Sequence, residues 1–309
     1  MGKKQQPANQ ELFPEYLTNI QRKLIQSSHN IIMNDPEDIA FQHSIFCQTN
    51  LPYRNPGDSL RLWRRKQGKI ILEIDAGRIV NPVTDDFTNM GLPYGVKARL
   101  IITHLNSQAL RNNSSIIDVE STLTAFVKSL GIDANGRDIN TIKDQLSRLS
   151  AASIRLGFFE EKHAVQVNTR FIKAFDLWLE KTDEQKVLWP SHLQLSEDYF
   201  HSLMQHAVPL DERAVRALSH SALGIDIYTW LAQRLHRVKK GCHQFIPWIA
   251  LKDQFGYDYN RLRAFREVFT KTLTKVHSQY PDAIFHTDEQ GMTLFHSTPP
   301  IRSKTLIIP

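Results

Sequence analysis

Apolar residues recur along this chain at two spacings, one typical of helices and the other of strands. The clearest helical stripe lies near the C-terminus and has apolar residues three or four positions apart: Leu262, Phe265, Phe269, Leu273 and Val276. Pro281 ends this helix, because proline lacks an amide donor and disfavours helix in the residue before it. Two short apolar segments follow, on either side of a turn at 288–291, and predict a hairpin. The stretch 260–295 is therefore interpreted as the recognition half of a winged helix, with a solvated helix beside a sheet as the alternative.

The first half of the chain predicts a similar order of elements. A helix opens at 91–94, and its predicted buried face consists of Ala98, Ile101, Ile102, Leu105 and Ala109. A second helix has its apolar face at 123–130, and a third runs from Thr141 to about Ala152, with Ala151 on its outward side, before a hairpin at 153–168. Helix, helix, turn, helix and hairpin is the order of a winged helix. No sequence repeat of fixed period accompanies it, so the duplication is one of predicted architecture. Four further helices are predicted in the second half: one from Ser196 to His206, one capped by Asp211, one from Leu223 to Val238 and one from Ile249 to Phe255.

The remaining segments set the predicted domain limits. Residues 1–8 are polar and are expected to be disordered, and an amphipathic helix is predicted at 11–32. A small β element follows, with strands around the Gln67-Gly68 turn, and a polar break at 182–186 separates the two halves. The predicted fold is mainly α with small β-hairpins (α+β), with two winged-helix domains in tandem. The predicted divisions are 1–40 for a tail and helix, 41–182 for the β element and first winged-helix domain, and 183–309 for the second winged-helix domain and C-terminal tail.

The charge of the chain favours anionic partners. Its 309 residues carry a net charge of +6 and are 41% hydrophobic, which is enough to form cores. The two cysteines, Cys47 and Cys242, lie far apart and lack metal-ligand spacing, so reduced thiols in a cytoplasmic protein are expected. No apolar run approaches the roughly 18 residues of a membrane span. The N-terminus lacks the apolar core of a signal peptide, and neither membrane association nor secretion is expected.

The helix at 260–277 carries the strongest candidate DNA contacts. Arg263 and Arg266 lie three residues apart, away from the apolar stripe, and arginine can bond O6 and N7 of guanine together. We expect these two side chains to reach base edges, with Asn260 reading adenine at the helix start. Phosphate contacts, which position a protein without reading sequence, are expected from Arg261, Lys271 and Lys275. For any one of these residues, a merely solvated charge is the alternative.

The first predicted domain offers a weaker set of contacts. Its candidates, on the far side of the third helix or just beyond it, are Lys143, Ser147, Arg148 and Arg155. Asp144 makes this helix less basic, so it is expected to touch the DNA backbone or to serve a protein interface. A second basic cluster, at 61–69, is interpreted as an edge strand protected by charge, with a phosphate or dimer contact as the alternative.

The sequence lacks the motifs of several enzyme classes. A phosphate-binding loop of the form GxxxxGK[ST] is absent, and no His-x-His pair of a metal-dependent nicking enzyme occurs. The thirteen histidines are scattered, without cysteine or carboxylate partners at ligand spacing. We therefore expect no cofactor, no metal site and no enzymatic activity. A metal-dependent nuclease of replication or mobilisation remains the alternative from another class.

Several strings of residues, in order, resemble one known family. They are FCQTNLPYRNPGD (46–58), GLPYGVKARL (91–100), QLSRL (145–149), FDLWL (175–179), VLWPS (187–191), LSEDYF (195–200), PLD (209–211) and YTWLAQRL (228–235). Together they resemble the RepA family of plasmid replication initiators over roughly residues 41 to 240. The resemblance implies a cytoplasmic protein that binds double-stranded repeats at a plasmid origin and recruits host replication proteins, an initiator and a helicase. It also implies two winged-helix domains, with a homodimer among the expected states. A dimeric winged-helix transcriptional repressor acting on an operator palindrome is the alternative.

Overall fold

The computed structural model describes residues 17–81, 86–118, 120, 122–159, 164–174 and 192–302. Its helices are α1 (Asn19–Met33), α2 (Ser44–Gln48), α3 (Gly95–Arg111), α4 (Leu123–Ser129), α5 (Gly136–Ala151), α6 (Glu197–His206), α7 (Glu212–Ala217), α8 (Ala222–Arg234), α9 (Trp248–Phe255) and α10 (Leu262–Gln279), with a 3₁₀ turn at Leu235–Arg237. Its strands are β1 (Ile39–His43), β2 (Leu62–Gln67), β3 (Ile70–Asp75), β4 (Arg78–Asn81), β5 (Asp86–Asn89), β6 (Ile116–Asp118), β7 (Ser153–Phe159), β8 (Ala164–Arg170), β9 (Ile172–Ala174), β10 (His192–Leu195), β11 (Ala207–Asp211), β12 (His243–Pro247), β13 (Phe285–Thr287) and β14 (Gly291–Phe295). The fold is thus mixed, with helices and several small sheets.

A first hydrophobic core joins α3, α4, α5 and α6 to a four-stranded sheet. The apolar face predicted for α3 is confirmed, because its five members are buried: Ala98, Ile101, Ile102, Leu105 and Ala109. Phe126 on α4 and Leu146 on α5 are also fully buried, whereas Leu123, at the start of α4, is partly buried. We call the part of the molecule around this core the first lobe.

The helix α5 begins five residues before its predicted start. Asn135 precedes it, and the Asn135 side chain accepts a hydrogen bond of 2.9 Å from the backbone N–H of Asp138. Asparagine at this position satisfies an amide that the first helical turn leaves without a partner. The prediction placed a turn here because the first residues of the helix are polar, and the apolar period starts only at Ile139.

The predicted β element belongs to the first lobe. Strands β2 and β3 form a hairpin around Gly68, as expected, and Gly68 has a φ of +55° that favours glycine. Strand β3 then pairs with β7, which gives a sheet of order β2-β3-β7-β8. The hairpin and the first lobe are therefore parts of one sheet, although about 80 residues separate the paired strands along the chain.

A second core lies among α8, α9, α10 and the sheet β12-β14-β13. The stripe predicted on α10 is confirmed at Phe265, Phe269, Leu273 and Val276, which are all buried. Leu262, at the helix start, remains 37% exposed. The hairpin β13–β14 follows α10 as predicted, whereas β12, which completes the sheet, was not predicted. We call this part the second lobe.

The two cores divide the chain differently from the predicted limits. Tyr199 and Leu203, on α6, contribute to the first core, whereas Leu24, on α1, contributes to the second. The predicted break at 182–186 lies outside the described residues, so the domain limits stay a prediction. The start of the predicted N-terminal helix also lies outside them, and α1 begins at Asn19.

The two lobes are in direct contact. Helix α3 of the first lobe packs against α8 of the second, and α2 packs against α8 as well. Strand β1 pairs with β11. In the part of the chain that the structure describes, no helix is long and apolar enough to cross a membrane.

Candidate nucleic-acid interface

The helix α10 presents a cationic face opposite its buried stripe. Arg263, Lys271 and Lys275 are exposed on the helix, and Arg261 is exposed at its N-cap position, where its side chain makes no capping bond. Asn260, one residue earlier, is also exposed. The structure therefore places five of the six predicted contacts of this module at surface positions along one helix.

An acid interrupts this cationic face. The Glu267 carboxylate accepts a hydrogen bond of 2.7 Å from Nζ of Lys271, one helical turn away. This bond and the ammonium charge lower the pKa of Glu267. Both side chains are exposed, so the pair contributes little to stability. A phosphate approaching Lys271 would compete with Glu267 for the ammonium group, which makes Lys271 a weaker phosphate ligand than its exposure alone suggests.

Arg266 does not share the environment of Arg263. Its guanidinium lies 5.2 Å from the centre of the Trp248 ring, and the side chain is partly buried. This is the geometry of a cation–π contact. Nε1 of Trp248 in turn donates a hydrogen bond of 2.9 Å to the carbonyl oxygen of Asp288, in the turn of the hairpin. Arg266 is thus positioned beside the turn of the hairpin, and the expected pair of matched arginines is not formed.

The hairpin β13–β14 is closed by a tightly bonded turn. Oδ1 of Asp288 accepts hydrogen bonds from the backbone N–H groups of Gly291 and Gln290, at 2.9 and 2.7 Å. These bonds lower the pKa of Asp288. A side chain on Gly291 would collide with the backbone of Ile246, because an added Cβ would lie 2.2 Å from its carbonyl oxygen. The Asp288 carboxylate therefore holds the turn, and glycine is required at position 291.

In the first lobe, Arg148 is not where it was predicted to lie. Its side chain is only 10% exposed, and Nε donates to the Asp144 carboxylate at 2.9 Å. Nη1 donates to the Leu92 carbonyl at 3.3 Å, and the guanidinium lies 5.2 Å from the Tyr94 ring centre. The prediction that Arg148 faces outward is wrong, because the segment before α3 covers this side of α5. Ala151, placed on the same side, is buried too.

Arg155 lies on strand β7, and its charge is neutralised there. Its guanidinium donates to the Glu73 carboxylate at 2.6 Å and also to the Asp75 carboxylate, both on the neighbouring strand β3. These bonds raise the pKa of Arg155. Arg64, on the other side of β3, lies 3.8 Å from Glu73. The outer face of this sheet therefore alternates cations with acids.

The outward face of α5 retains fewer cations than predicted. Lys143 and Ser147 are partly exposed. Arg137, in the first turn, is exposed and was not among the predicted contacts. Arg137 lies in the helix because α5 begins at Gly136, directly after its N-cap Asn135. Recognising Asn135 as a cap in the sequence would have placed Arg137 on the helix.

The basic cluster at 61–69 is partly structural. Arg61 donates to the carbonyl oxygens of Met90 and Ala76, at 2.6 and 2.5 Å. Arg65 donates to the carbonyl oxygens of Asp253 and Gln254, in the second lobe. The interpretation of a solvated, charge-protected edge strand is therefore wrong for these two arginines, since both guanidinium groups bind the backbone of neighbouring segments.

The described residues also bear on metal and thiol chemistry. Within the described residues, no group of three or more histidine, cysteine, aspartate or glutamate side chains could hold a metal ion. Cys47 is buried, which raises the pKa of its thiol, and Cys242 is exposed. The candidate interface offers cationic, amide and hydroxyl side chains, which are groups suited to binding phosphates and base edges.

Comparison with known proteins identifies the family. The model of the family described as plasmid encoded RepA protein matches residues 92–249, which is just over half of the chain. This protein therefore belongs to the RepA family of plasmid replication initiators, which confirms the resemblance seen in the sequence. No curated protein matches the chain.

Two solved structures are similar to this chain over most of its length. One is a crystal structure of selenomethionine derivatives of domains 2 and 3 of RctB, with 11% identity and a TM-score of 0.49 over 87% of this chain and 97% of that one. The other is a crystal structure of RctB domains 2–3, with 12% identity and a TM-score of 0.48 over 81% of this chain and 94% of that one.

Proposed function

We propose that this protein initiates plasmid replication by binding double-stranded repeats at the origin, without covalent chemistry of its own. Membership of the RepA family supports the role in replication. The net charge of +6 supports a polyanionic partner. The family match ends at residue 249, before α10, so the DNA-binding role of α10 rests on the geometry of that helix.

The observation that carries the proposal is the exposed cationic face of α10 beside a hairpin. The second lobe has the order α8, β12, α9, α10, β13, β14 along the chain. In its sheet, β14 lies between β12 and β13. The first lobe has the parallel order α3, β6, α4, α5, β7, β8. We assign both to the winged-helix class, with α10 and α5 as the helices that face DNA.

The side chains of the second lobe take different roles in this proposal. Arg263 reads a guanine edge from the major groove, and Asn260 contacts an adenine at the helix start. Phosphate contacts come from Arg261, Lys271 and Lys275. Arg266, stacked on Trp248, positions the hairpin instead of reading a base.

The first lobe makes a smaller contribution to binding. Lys143 and Ser147, on the partly exposed face of α5, contact the backbone of the duplex. Arg148 and Arg155 hold the lobe together, because acids in the lobe already occupy both guanidinium groups. Because cations that neutralise phosphates supply most of the non-specific affinity for DNA, we assign most of that affinity to α10.

Initiation then depends on assembly. Several protomers on adjacent repeats would supply the binding energy that opens the duplex, and the bound array would recruit a host initiator and helicase in the cytoplasm. A homodimer off DNA is part of the same proposal.

The proposal is tested by footprinting the purified full chain on the plasmid DNA that flanks its reading frame. We expect protection of several direct repeats. Protection of one palindrome would favour the dimeric repressor, and metal-dependent nicking of supercoiled DNA would favour a nuclease. Absence of any protected segment on that DNA would refute DNA binding at the origin.

A matched pair of variants locates the interface. Arg263→Ala and Lys69→Ala each remove one exposed cation, the first from α10 and the second from the turn between β2 and β3. We expect only Arg263→Ala to weaken the footprint on the repeats. Equal weakening by both variants would show that net charge, and not α10, determines binding.

A further inference from the structure

One buried ion pair crosses the contact between the lobes. Arg99, on α3, and Asp226, on α8, have side chains only 4% and 6% exposed. Nε of Arg99 donates to Oδ1 of Asp226 at 2.7 Å, and Nη2 donates to Oδ2 at 2.8 Å. The two parallel bonds fix both the distance and the angle between guanidinium and carboxylate. The first lobe therefore binds one carboxylate of the second lobe through both of its oxygen atoms.

The remaining donors of Arg99 are also used. Nη1 donates to the carbonyl oxygens of Gly95 and Pro52, at 2.8 and 3.2 Å, and Nη2 donates to that of Leu51 at 2.8 Å. All five N–H groups of the guanidinium thus have acceptors. The acceptors other than Asp226 belong to the first lobe. The first lobe alone therefore fixes the orientation in which the guanidinium faces Asp226 of the second lobe. Burial raises the pKa of Asp226, and the charge of Arg99 opposes that rise.

A second layer of polar contacts lies at the end of α9. Nδ2 of Asn50 donates to the Gln254 carbonyl at 2.6 Å, and a guanidinium nitrogen of Arg65 lies within hydrogen-bonding distance of the Asp253 and Gln254 carbonyls. These carbonyls belong to the last turn of α9, where the helix itself has no backbone N–H groups left to donate to them. The backbone N–H of Tyr53 donates to the Tyr257 hydroxyl at 2.7 Å, and the two rings stack with their centres 5.6 Å apart. The first lobe therefore caps a helix of the second.

Directional contacts of this kind do more than hold two bodies together. Apolar burial is non-directional and tolerates sliding, whereas a bidentate pair requires one orientation. A buried ion pair is weak evidence for added stability, and its better-supported use is to specify one arrangement among several. The helix α3 packs against α5, and α8 packs against α10. Fixing α3 relative to α8 therefore fixes the two helices that face DNA relative to each other.

We propose that Arg99 and Asp226 are positioning residues that hold α5 and α10 in one relative orientation, so that the protein measures the spacing between the two DNA segments it binds. The α9 cap from Asn50 and Arg65 strengthens the same restraint. This inference rests on the proposed function for its DNA part, while the restraint between the lobes can be measured without DNA.

The DNA-free test measures the distance between the lobes. Cys242 is exposed in the second lobe, and Lys69→Cys provides a second exposed label site in the first. Spin labels at these two sites should give one narrow distance distribution by pulsed electron resonance. Asp226→Asn should broaden that distribution several-fold, whereas Asp138→Asn, which removes the partner of Lys97 within the first lobe, should leave it unchanged. A broad distribution in the parent protein, or an unchanged width in Asp226→Asn, would overturn the inference.

The DNA test inserts base pairs between the two halves of a footprinted repeat. An insertion of five base pairs should weaken binding of the parent protein roughly 100-fold, because simultaneous engagement of both lobes is lost. Asp226→Asn should bind the intact repeat more weakly but lose less than about 10-fold on insertion. Equal sensitivity in both proteins would refute the measuring role and leave DNA binding itself intact.

A milder variant covers the case in which Asp226→Asn fails to fold. Arg65→Ala removes part of the α9 cap from a partly exposed position, so the lobes are expected to stay folded. Circular dichroism and thermal unfolding report on folding for each variant. As with Asp226→Asn, Arg65→Ala should broaden the distribution of label distances and reduce the loss of affinity caused by inserted base pairs. A folded Arg65→Ala protein with parental values for both measurements would contradict the inference.

Discussion

The two helices proposed to face DNA use their basic residues differently. On α10, Arg263, Lys271 and Lys275 extend into solvent. On α5, Arg148 is buried against Asp144, and Arg155, on the adjoining strand β7, is bound to Glu73. Arg148 and Arg155 therefore hold segments of the first lobe together, whereas α10 displays Arg263 and its two lysines.

Burial also affects two histidines of the first lobe. His43 and His104 lie inside or at the base of the first lobe, and burial lowers their pKa values to about 3 and about 4. Nε2 of His43 lies 3.0 Å from Oγ of Ser202, and Nδ1 accepts a hydrogen bond from the Ile45 amide. A basic residue therefore adds to surface potential only where no neighbour neutralises or buries it.

The largest expected effect is loss of stability in acid. The pKa of His43 in the folded protein, about 3, lies below the unfolded value of 6.5, so the unfolded chain binds protons more readily. The stabilisation is present above pH 6.5 and is lost as the pH falls toward 3. His104 adds a similar loss between pH 6.5 and about 4. We expect the free energy of unfolding to fall by about 1.4 kcal/mol per pH unit for each histidine.

Urea unfolding at pH 7.5, 6 and 5 measures this dependence. His43→Gln should flatten the fall in stability, whereas His29→Gln, at an exposed position of α1, should not change it. An unchanged pH dependence in His43→Gln would show that this histidine does not produce it, and would weaken the contrast between the lobes.

The next effect separates structural from displayed arginines. Arg148→Ala should lower the free energy of unfolding by about 2–3 kcal/mol, because charged hydrogen bonds are lost and carbonyl and carboxylate acceptors are left behind. Arg137→Ala, which removes an exposed cation from the same helix, should leave stability unchanged. Denaturant unfolding measures both variants. A stable Arg148→Ala protein with weakened DNA binding would instead return Arg148 to the interface.

The sequence predicted the elements whose evidence is local. The stripes of α3 and α10 were visible because their apolar residues recur within a few turns, and the β2–β3 hairpin because glycine marks its turn. The pairing of β1 with β11 was not visible, since about 170 residues separate the two strands. The sheet of the first lobe was missed for the same reason.

The candidate site was predictable to the same extent. Helical spacing correctly placed Arg263 and Lys271 on the exposed face of α10. It could not reveal that Leu92 would cover Arg148, or that Trp248 would hold Arg266, because those contacts join segments distant in sequence. Periodicity predicts the face of a helix, and only the tertiary fold determines which charges on that face are neutralised.

The variants Arg263→Ala and Arg266→Ala show whether the exposure of an arginine or its helical spacing determines if it reads a base. Arg263→Ala should lower affinity for the intact repeat by roughly 1–3 kcal/mol and relax discrimination at one base pair. Arg266→Ala should lower affinity less and alter discrimination little, since its guanidinium lies on Trp248. Binding is measured on the intact repeat and on each single-base variant. Equal losses for Arg263→Ala on all sequences would reassign that residue to phosphates.

The smallest expected effect concerns Lys271. If its ammonium neutralises one phosphate, Lys271→Ala should reduce the slope of log affinity against log salt by about 0.9. Lys271 already shares a hydrogen bond with Glu267, so its removal should weaken binding less than removal of Arg263 does. Glu267→Gln should have the opposite effect and strengthen binding slightly, because it frees the ammonium for the phosphate. Titrations at several salt concentrations distinguish these outcomes. An unchanged slope in Lys271→Ala would remove this residue from the DNA contact, and the displayed cations of α10 would then reduce to those near its N-terminus and Lys275.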